Sequence, residues 1–282
     1  MDKVLKISDL MEKSGVVFGT SGARGLVSTM TDEVCLTYTV AFIQCLEKKG
    51  ELPKKNARIA IAGDLRPSTN RIMVAVARAI IHCGHTVVNC GRIPSPAVAL
   101  YGIQQGIPAV MVTGSHIPQD RNGIKYNKTT GEILKNDEAE IKAQQVSIPD
   151  LFDEKGMFKT KSTLGPVEKD AETAYLNRWL RAFPPKCLKG KKLGLYGHSA
   201  VGRALMDRIY TELGAEVTKL GFSDEFIAVD TEAIRPEDVE LACRWSKEYS
   251  FDAILSTDGD SDRPLISDED GKWIRGDIAG IL

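Results

Sequence analysis

Two polar loops that lie far apart in the chain contain the residues best suited to chemistry. In the first, residues 113–125, the hydroxyl of Ser115 stands beside the imidazole of His116, and the amine of Lys125 closes the loop. A hydroxyl near an imidazole and an amine suits phosphoryl or acyl transfer, because the nitrogens can take up the proton that the reaction displaces. Taken alone, the same residues are also typical of an ordinary polar turn.

The residues around this loop indicate how it is folded. The apolar run at residues 107–112 predicts a buried strand that ends just before the loop. Pro118 and the pair Asn122-Gly123 are typical turn residues, and they predict a second turn that returns the lysine toward the serine.

The second loop, residues 257–263, contains three alternating aspartates, Asp258, Asp260 and Asp262. Carboxylates that alternate in a turn can converge on one hard cation. An EF-hand loop begins similarly, but it requires glycine at its sixth position, which is Arg263 here, and the preceding segment has the pattern of a strand. We therefore predict a Mg²⁺ site that leaves positions open for a phosphate oxygen.

A third candidate segment lies near the start of the chain. Residues 19–22, Gly-Thr-Ser-Gly, follow the short apolar run 16–18 and precede Arg24. Backbone N–H groups of a glycine-rich loop and a nearby guanidinium can together hold a phosphate. The alternative is a hairpin turn with a solvated arginine.

In this order and spacing, the three segments resemble the motifs of the alpha-D-phosphohexomutases. The serine loop of that family usually reads Thr-Ala-Ser-His-Asn-Pro and ends in Asn-Gly-x-Lys, and its metal loop reads Asp-Gly-Asp-x-Asp-Arg. Here Gly114 and Ile117 replace the alanine and the asparagine, and residues 197–202 replace a Gly-Asn-Gly turn of the second domain. The loop geometry is therefore expected to differ in detail.

The resemblance implies an enzyme that interconverts hexose 1-phosphate and hexose 6-phosphate, of mannose or glucose. It implies that Ser115 carries a phosphate, gives it to the sugar to form a bisphosphorylated intermediate, and takes back the other phosphate. The phosphorylated serine would join Asp258, Asp260 and Asp262 around Mg²⁺. A hexose 1,6-bisphosphate would act as the activator.

The resemblance also implies roles for the remaining charged residues. Arg24, His116 and Lys125 would take part in catalysis, and Arg24, Lys125 and Arg263 would bind the phosphosugar. For Lys125 to act as a base its pKa must be depressed, and we expect nearby cations to lower it.

Composition narrows the class of protein. With 282 residues the chain is long enough for two domains, and its net charge of −1 gives no sign of a nucleic-acid or anionic-membrane partner. The sequence contains neither an apolar run of ~20 residues nor a signal peptide, which predicts a cytoplasmic protein.

The six cysteines form no close Cys-x-x-Cys pair and are interpreted as reduced core residues. The expected partner is a small phosphosugar, and nothing in the sequence predicts the oligomeric state.

The two halves of the chain share one pattern of elements: strand, helix, strand, helix, strand, polar loop, hairpin. The pattern spans residues 58–134 in the first half and 192–274 in the second. It predicts an α/β protein with two consecutive three-layer α/β/α domains and mixed sheets, each a βαβαβ run followed by a hairpin. Both polar loops would lie at the carboxyl ends of strands, facing each other across a cleft.

The expected domains are residues 1–168, which contain the serine loop, and residues 169–274, which contain the metal loop. Residues 147–169 are interpreted as a linker. Asp277 could cap an apolar helix that begins near the end of the sequence, and we interpret residues 275–282 as the start of a truncated third domain. Members of the resembled family continue into two further domains. On that basis we expect very slow isomerisation by residues 1–282 alone.

Two alternative functions remain at this stage. One is a fragment that binds a sugar phosphate and Mg²⁺ without turnover. The more distant one is an esterase, because Gly197-His198-Ser199 between a strand and a helix resembles the nucleophile elbow of α/β-hydrolases. That motif requires a glycine where Val201 stands.

Overall fold

The computed structural model describes residues 3–19 and 21–281. Thr20 of the predicted phosphate loop and the last residue of the predicted terminal helix, Leu282, lie outside the described residues. In the first half of the chain the elements are β1 (Lys3–Lys6), α1 (Ile7–Ser14), β2 (Val17–Phe18), β3 (Gly22–Leu26), α2 (Asp32–Lys49), β4 (Arg58–Gly63), α3 (Thr69–His82), β5 (Thr86–Asn89), α4 (Ser95–Gln105), β6 (Ala109–Val112), β7 (Arg121–Lys128), β8 (Gly131–Glu132), α5 (Lys135–Lys142) and β9 (Gln145–Ile148). In the second half they are α6 (Asp170–Ala182), β10 (Lys192–Tyr196), α7 (Arg203–Glu212), β11 (Glu216–Leu220), α8 (Pro236–Tyr249), β12 (Ala253–Thr257), β13 (Pro264–Ser267), β14 (Trp273–Ile274) and α9 (Gly276–Ala279).

The two main sheets repeat one strand order. In the first sheet β5, β4 and β6 are parallel and β7 is antiparallel to β6, and β3 and β2 continue that edge. In the second sheet β11, β10 and β12 are parallel and β13 is antiparallel to β12. The prediction of an α/β fold with mixed sheets, in which each βαβαβ run is followed by a hairpin, is therefore confirmed.

Local sequence explains why the central elements form where they do. All four residues of β6 are buried, as expected for a parallel strand that is covered on both faces. Helix α2 begins after Thr31, whose hydroxyl accepts a hydrogen bond from the backbone N–H of Val34. The helix ends at Gly50, whose left-handed conformation (φ 72°) suits glycine.

Several details of the prediction are wrong. Asn122 and Gly123 lie within β7, and the turn that precedes this strand is closed by the backbone N–H of Arg121 on the carbonyl of Pro118. Asp277 does not cap the last helix, because α9 begins at Gly276. The predicted linker starts later than expected, since residues 147 and 148 belong to β9. Of the cysteines, Cys187 is exposed rather than part of a core.

Helix α6 connects the two halves of the molecule. Its residue Ala171 is buried in the cluster that covers one face of the first sheet, and Leu176 is buried with residues of α7. The loops at the carboxyl ends of β6 and β12 also lie close together. Gly259 lies so near the serine loop that a Cβ at this position would be 2.7 Å from the carbonyl oxygen of Ser115. Within the described ranges, no helix is both long and apolar enough to cross a membrane.

Candidate active site

Ser115 occupies a constrained position in the loop that follows β6. Its side chain is almost fully buried, and its backbone adopts the left-handed region with φ 53°. Its N–H donates to the hydroxyl of Thr113 at 2.7 Å, and its carbonyl accepts from Nη2 of Arg66 at 2.9 Å. A non-glycine residue held in this conformation by several contacts is typical of a functional site.

A buried ion pair beneath the loop provides this support. Arg66 and Asp64 are both fully buried, and their Nε and Oδ2 atoms are 3.1 Å apart. The same carboxylate oxygen accepts from the hydroxyl of Thr113 at 2.8 Å. The guanidinium of Arg66 also donates to a row of loop carbonyls, those of Ser115, Ile117, Pro118 and Arg121. Asp64 and Arg66 therefore have a structural role, because they hold the serine loop in place.

Gly114 is required by this arrangement, and we predict that alanine is not tolerated there. A Cβ at position 114 would lie 2.5 Å from Cζ of Arg66, and this atom is enclosed by the loop it supports. We expect Gly114→Ala to displace the guanidinium and to lower the free energy of unfolding by about 1–3 kcal/mol, measured by urea denaturation. As a control, Gly165→Ala tests a glycine that has no positive φ and no atom within 4 Å of the added Cβ. An unchanged unfolding midpoint for Gly114→Ala would contradict the prediction.

A short hydrogen bond joins the serine side chain to the metal loop. Oγ of Ser115 donates to Oδ2 of Asp258 at 2.6 Å, and both residues are buried. The other carboxylate oxygen of Asp258 accepts from the backbone N–H groups of Asp262 and Arg263 at 3.2 and 3.3 Å. Burial, followed by the charges of Asp260 and Asp262, raises the pKa of Asp258 from 3.8 to about 8.

Lys125 is bound by the other two aspartates of the metal loop. Its Nζ lies 2.8 Å from Oδ2 of Asp260 and 2.7 Å from Oδ2 of Asp262. Burial lowers the pKa of Lys125, but the two carboxylates outweigh it and raise the pKa above its ordinary value. The expectation of a depressed lysine pKa is therefore wrong, because anions rather than cations surround the amine. The pKa of Asp260 is lowered, since the pairing with Lys125 outweighs the effect of burial.

The aspartate cluster fits a divalent cation. One oxygen from each of Asp258, Asp260 and Asp262 lies within 4.8 Å of the others. Oδ1 of Asp260 is buried and has no hydrogen-bond partner among the residues that the structure describes. A buried oxygen without a partner is rare in proteins unless something else binds it. Three carboxylates, one of which has an oxygen without a partner, are the hard ligands that Mg²⁺ or Ca²⁺ takes.

His116 lies beside the serine hydroxyl. Its Nδ1 is 3.3 Å from Oγ of Ser115. Burial, followed by the charge of Arg263, lowers the pKa of His116 below its ordinary value of 6.5, although Asp230 opposes the shift. The imidazole is therefore neutral near pH 7 and can accept a proton.

Two arginines complete the positive side of the site. Arg24 is half-buried on β3 and lines the same cavity of about 340 Å³ as Ser115, Lys125 and Arg263. The predicted glycine-rich loop is thus a hairpin between β2 and β3, as in the alternative interpretation, but its arginine faces the cavity. The structure brings together every predicted site residue: Arg24, Ser115, His116, Lys125, Asp258, Asp260, Asp262 and Arg263.

Sequence reasoning missed three acidic residues at this site. Glu232 contacts Arg263, with 3.0 Å between Oε1 and Nη1, and Asp230 lies close enough to His116 to influence its pKa. Both belong to the irregular segment between β11 and α8, where neither periodicity nor a motif marks them. Glu132 on β8 also lines the cavity.

The serine of the hydrolase-like motif is not available as a nucleophile. Oγ of Ser199 donates to the carbonyl of Ile227 at 3.1 Å and accepts from its N–H at 2.7 Å. Ser199 is almost completely buried. These contacts argue against the esterase alternative, because both hydrogen-bonding roles of the hydroxyl are already satisfied.

Comparison with known proteins gives consistent matches over both halves of the chain. Residues 15–149 match the family model described as "Phosphoglucomutase/phosphomannomutase, alpha/beta/alpha domain I", and residues 174–271 match domain II of the same family. A phosphomannomutase of Salmonella muenchen is 42% identical over 282 residues, and one of Sinorhizobium fredii is 40% identical over 271 residues. These alignments cover 100% and 95% of this chain, and in each case 56% of the relative.

A solved structure shares the fold. A phosphoglucomutase/phosphomannomutase family protein of Burkholderia thailandensis superposes with a TM-score of 0.72 at 22% identity. The superposition covers 92% of this chain and 56% of that protein. The chain thus spans little more than half the length of the relatives that it matches.

Proposed function

Because the chain belongs to the phosphoglucomutase/phosphomannomutase family, we propose that it supplies the phosphoserine and the metal centre of a phosphohexomutase. The observation that carries the proposal is the 2.6 Å hydrogen bond from Oγ of Ser115 to Asp258. It joins a buried, conformationally constrained hydroxyl to a cluster of three carboxylates. A phosphate on this oxygen would lie beside a bound cation, as phosphoryl transfer requires.

The proposed reaction moves one phosphate out and another back. Phosphorylated Ser115 gives its phosphate to a free hydroxyl of the sugar, so that the bond from phosphorus to Oγ breaks and a new phosphate ester forms. The hydroxyl loses its proton, and the serine oxygen gains one. The sugar bisphosphate then reorients, and its other phosphate returns to the serine. This route avoids a direct transfer between two oxygens that lie far apart on the hexose.

Protonation states suggest which residue handles the proton. His116 has a lowered pKa and stands 3.3 Å from the serine oxygen, so we propose that it accepts the proton of the attacking hydroxyl. With Asp260 and Asp262 as its partners, Lys125 has a raised pKa and is an ammonium ion. Its proposed role is therefore to neutralise charge on the transferred phosphate, together with Arg24 and Arg263.

We propose Mg²⁺ as the cation and a hexose 1,6-bisphosphate as the compound that phosphorylates Ser115. Asp258, Asp260 and Asp262 would hold the ion. When bound, Mg²⁺ supplies positive charge that offsets the negative charge of the transferring phosphoryl group.

The substrate is proposed from the relatives. The two relatives at 40–42% identity are named phosphomannomutases, and others at 27–30% are named phosphoglucosamine mutases. We therefore propose a hexose phosphate and would test mannose before glucose. We also propose a serine-loop domain of residues 1–168, a metal-loop domain of residues 169–274, and residues 275–282 as the start of a further domain. The matched ranges 15–149 and 174–271 are consistent with the first two.

The test separates a mutase from a protein that only binds sugar phosphates. The phosphorylated chain is mixed with Mg²⁺ and with the 1- or 6-phosphate of mannose or glucose, and ³¹P NMR follows the products. We expect hexose bisphosphate to appear as the phosphoserine signal falls, and the control without a sugar to stay unchanged. A phosphoserine signal that is unaffected by all four sugars would favour the binding-only alternative and would contradict the proposal.

A further inference from the structure

The short turn that resembles a nucleophile elbow forms hydrogen bonds with the metal loop. This turn, residues 197–202, connects β10 to α7. The N–H of Val201 donates to the carbonyl of Gly259 at 3.0 Å, and the N–H of Gly202 donates to Oγ of Ser261 at 3.0 Å. Strands β10 and β12 are parallel neighbours, so the turn and the metal loop leave the sheet at the same edge.

His198 contributes the side-chain contact between this turn and the metal loop. Its Nε2 lies 2.7 Å from the carbonyl oxygen of Thr257, the last residue of β12. Because a carbonyl oxygen can only accept, Nε2 must carry the proton and Nδ1 must be the unprotonated nitrogen. Nδ1 is buried, and the described part of the chain offers it no hydrogen-bond partner.

The local conformation of His198 is unfavourable in two respects. The residue is fully buried with φ 28°, a region that non-glycine residues rarely adopt. It also leaves one ring nitrogen without a hydrogen bond, which destabilises a buried polar group. Its ring packs edge-on against Tyr196, with 5.4 Å between the ring centroids. A residue retained under such strain is a candidate for a role other than stability.

Thr257 is the first residue of the metal loop and also contacts its last residue, Arg263. Asp258 follows it directly, and the loop closes where the hydroxyl of Thr257 and the N–H of Asp258 donate to the carbonyl of Arg263 at 2.9 and 3.3 Å. The orientation of the Thr257 carbonyl therefore sets the direction in which the chain enters the three-aspartate turn.

We propose that His198 is a positioning residue for the cation site: its Nε2–H holds the Thr257 carbonyl and thereby directs the three aspartates toward one point. The inference rests on the proposed metal-dependent function. His198 contacts neither the aspartate side chains nor the serine, so it acts through the backbone of the loop. Substitutions can separate the contribution of His198 to the stability of the fold from its contribution to cation binding.

His198 also connects the metal loop to the segment that carries Glu232. Its carbonyl accepts from the N–H of Ser223 at 3.0 Å and from the guanidinium of Arg203. Ser223 begins the segment that leads to Glu232, and Glu232 contacts Arg263. His198 thus holds both the metal loop and the segment whose Glu232 contacts Arg263.

The experiment compares two substitutions of similar length. His198→Gln keeps an N–H donor that can reach the Thr257 carbonyl, whereas His198→Met fills the space without a donor. Removal of partners that orient metal ligands typically weakens metal binding about 10–100-fold. We expect Mg²⁺ affinity, measured by titration calorimetry, to fall about tenfold or more in His198→Met. In His198→Gln we expect it to stay within about threefold, because the donor is retained.

A matched control is Ser199→Ala. It removes a buried hydroxyl from the same turn, but that hydroxyl contacts Ile227 and not the metal loop. We expect it to lower the thermal midpoint while leaving Mg²⁺ affinity unchanged. Equal losses of affinity in the Gln and Met variants, or none in either, would overturn the inference.

A second measurement does not depend on the metal. Amide hydrogen exchange of residues 258–263 should be faster in His198→Met than in His198→Gln, because the loop loses its support. If the unsubstituted protein binds no Mg²⁺, the proposed function fails, and this exchange difference still decides whether His198 positions the loop. Identical exchange in the two variants would overturn the inference.

Discussion

Ser115→Ala is expected to abolish phosphate acceptance completely. The protein is incubated with Mg²⁺ and a hexose 1,6-bisphosphate, and its intact mass is measured. The unsubstituted chain should gain one phosphate, whereas the alanine variant should gain none, because no other hydroxyl occupies that position. Ser115 combines a neutral imidazole at 3.3 Å with a carboxylate at 2.6 Å, and alanine removes only the oxygen that both contact.

The control for this experiment is Ser199, a second buried serine that is adjacent to a histidine in the sequence. Ser199→Ala removes a hydroxyl that is satisfied by the backbone of Ile227, so phosphate gain should persist. Equal labelling of the Ser115→Ala variant would mean that the phosphate resides elsewhere. Loss of labelling in Ser199→Ala alone would contradict the assignment as well.

The parts of the fold that the sequence predicts are those governed by local patterns. Helix α3 can be predicted from the sequence, because the apolar positions of residues 69–82 recur with a helical period. Strands β5, β10 and β11 can likewise be predicted, since turn residues mark both ends of each. The repeat of two sheets follows from these elements together with the right-handed crossover rule.

The parts that it misses depend on contacts between distant residues. Strand β1 pairs with β9, so that Lys3 lies opposite Ile148, and neither segment has a partner nearby in the chain. Helix α5 is rich in charged residues and has little apolar periodicity, so its sequence favours a loop. Its buried Asp137 is stabilised by Lys49 and Lys128, two ion pairs that no local pattern indicates.

The same distinction applies to the site. The loops that contain Ser115 and the three aspartates could be predicted, because each is a compact motif at the end of an apolar strand. The charge state of Lys125 could not, because it depends on carboxylates contributed by the other half of the chain. The supporting role of His198 was likewise hidden, since its partner Thr257 is 59 residues away.

The second large effect is expected for Asp258→Asn, which should act in opposite directions on metal binding and on the metal-free fold. Asparagine has nearly the same shape, and its oxygen can still accept from the N–H groups of Asp262 and Arg263. It lacks the charge that a divalent cation needs. We expect Mg²⁺ affinity to fall at least ~100-fold, because loss of a ligand should cost no less than the 10–100-fold typical of outer contacts.

Stability of the metal-free protein should change in the other direction. The pKa of Asp258 is raised in the folded state, so between about pH 4 and pH 8 the folded protein binds more protons at this group than the unfolded chain does. Its contribution to the free energy of unfolding is therefore lost as pH rises through that range. Asparagine does not titrate, so we expect the variant to be more stable than the unsubstituted chain at pH 8 and to depend less on pH.

The measurements are urea denaturation of the metal-free proteins at pH 5 and pH 8, and calorimetric titration with Mg²⁺. Asp270→Asn is the matched control, because it removes the charge of an exposed aspartate whose contact is Lys272 at 3.1 Å. It should leave both metal affinity and pH dependence unchanged.

Retained affinity in Asp258→Asn would exclude this residue as a ligand. The free energy of unfolding could also fall equally with pH in the unsubstituted chain and in Asp258→Asn. That result would show that the three carboxylates do not repel one another as their burial and spacing require. Loss of Mg²⁺ affinity together with a gain in metal-free stability distinguishes a cation site from an acidic cluster that is merely buried. Only in a cation site does the same charge both bind the metal and destabilise the metal-free protein.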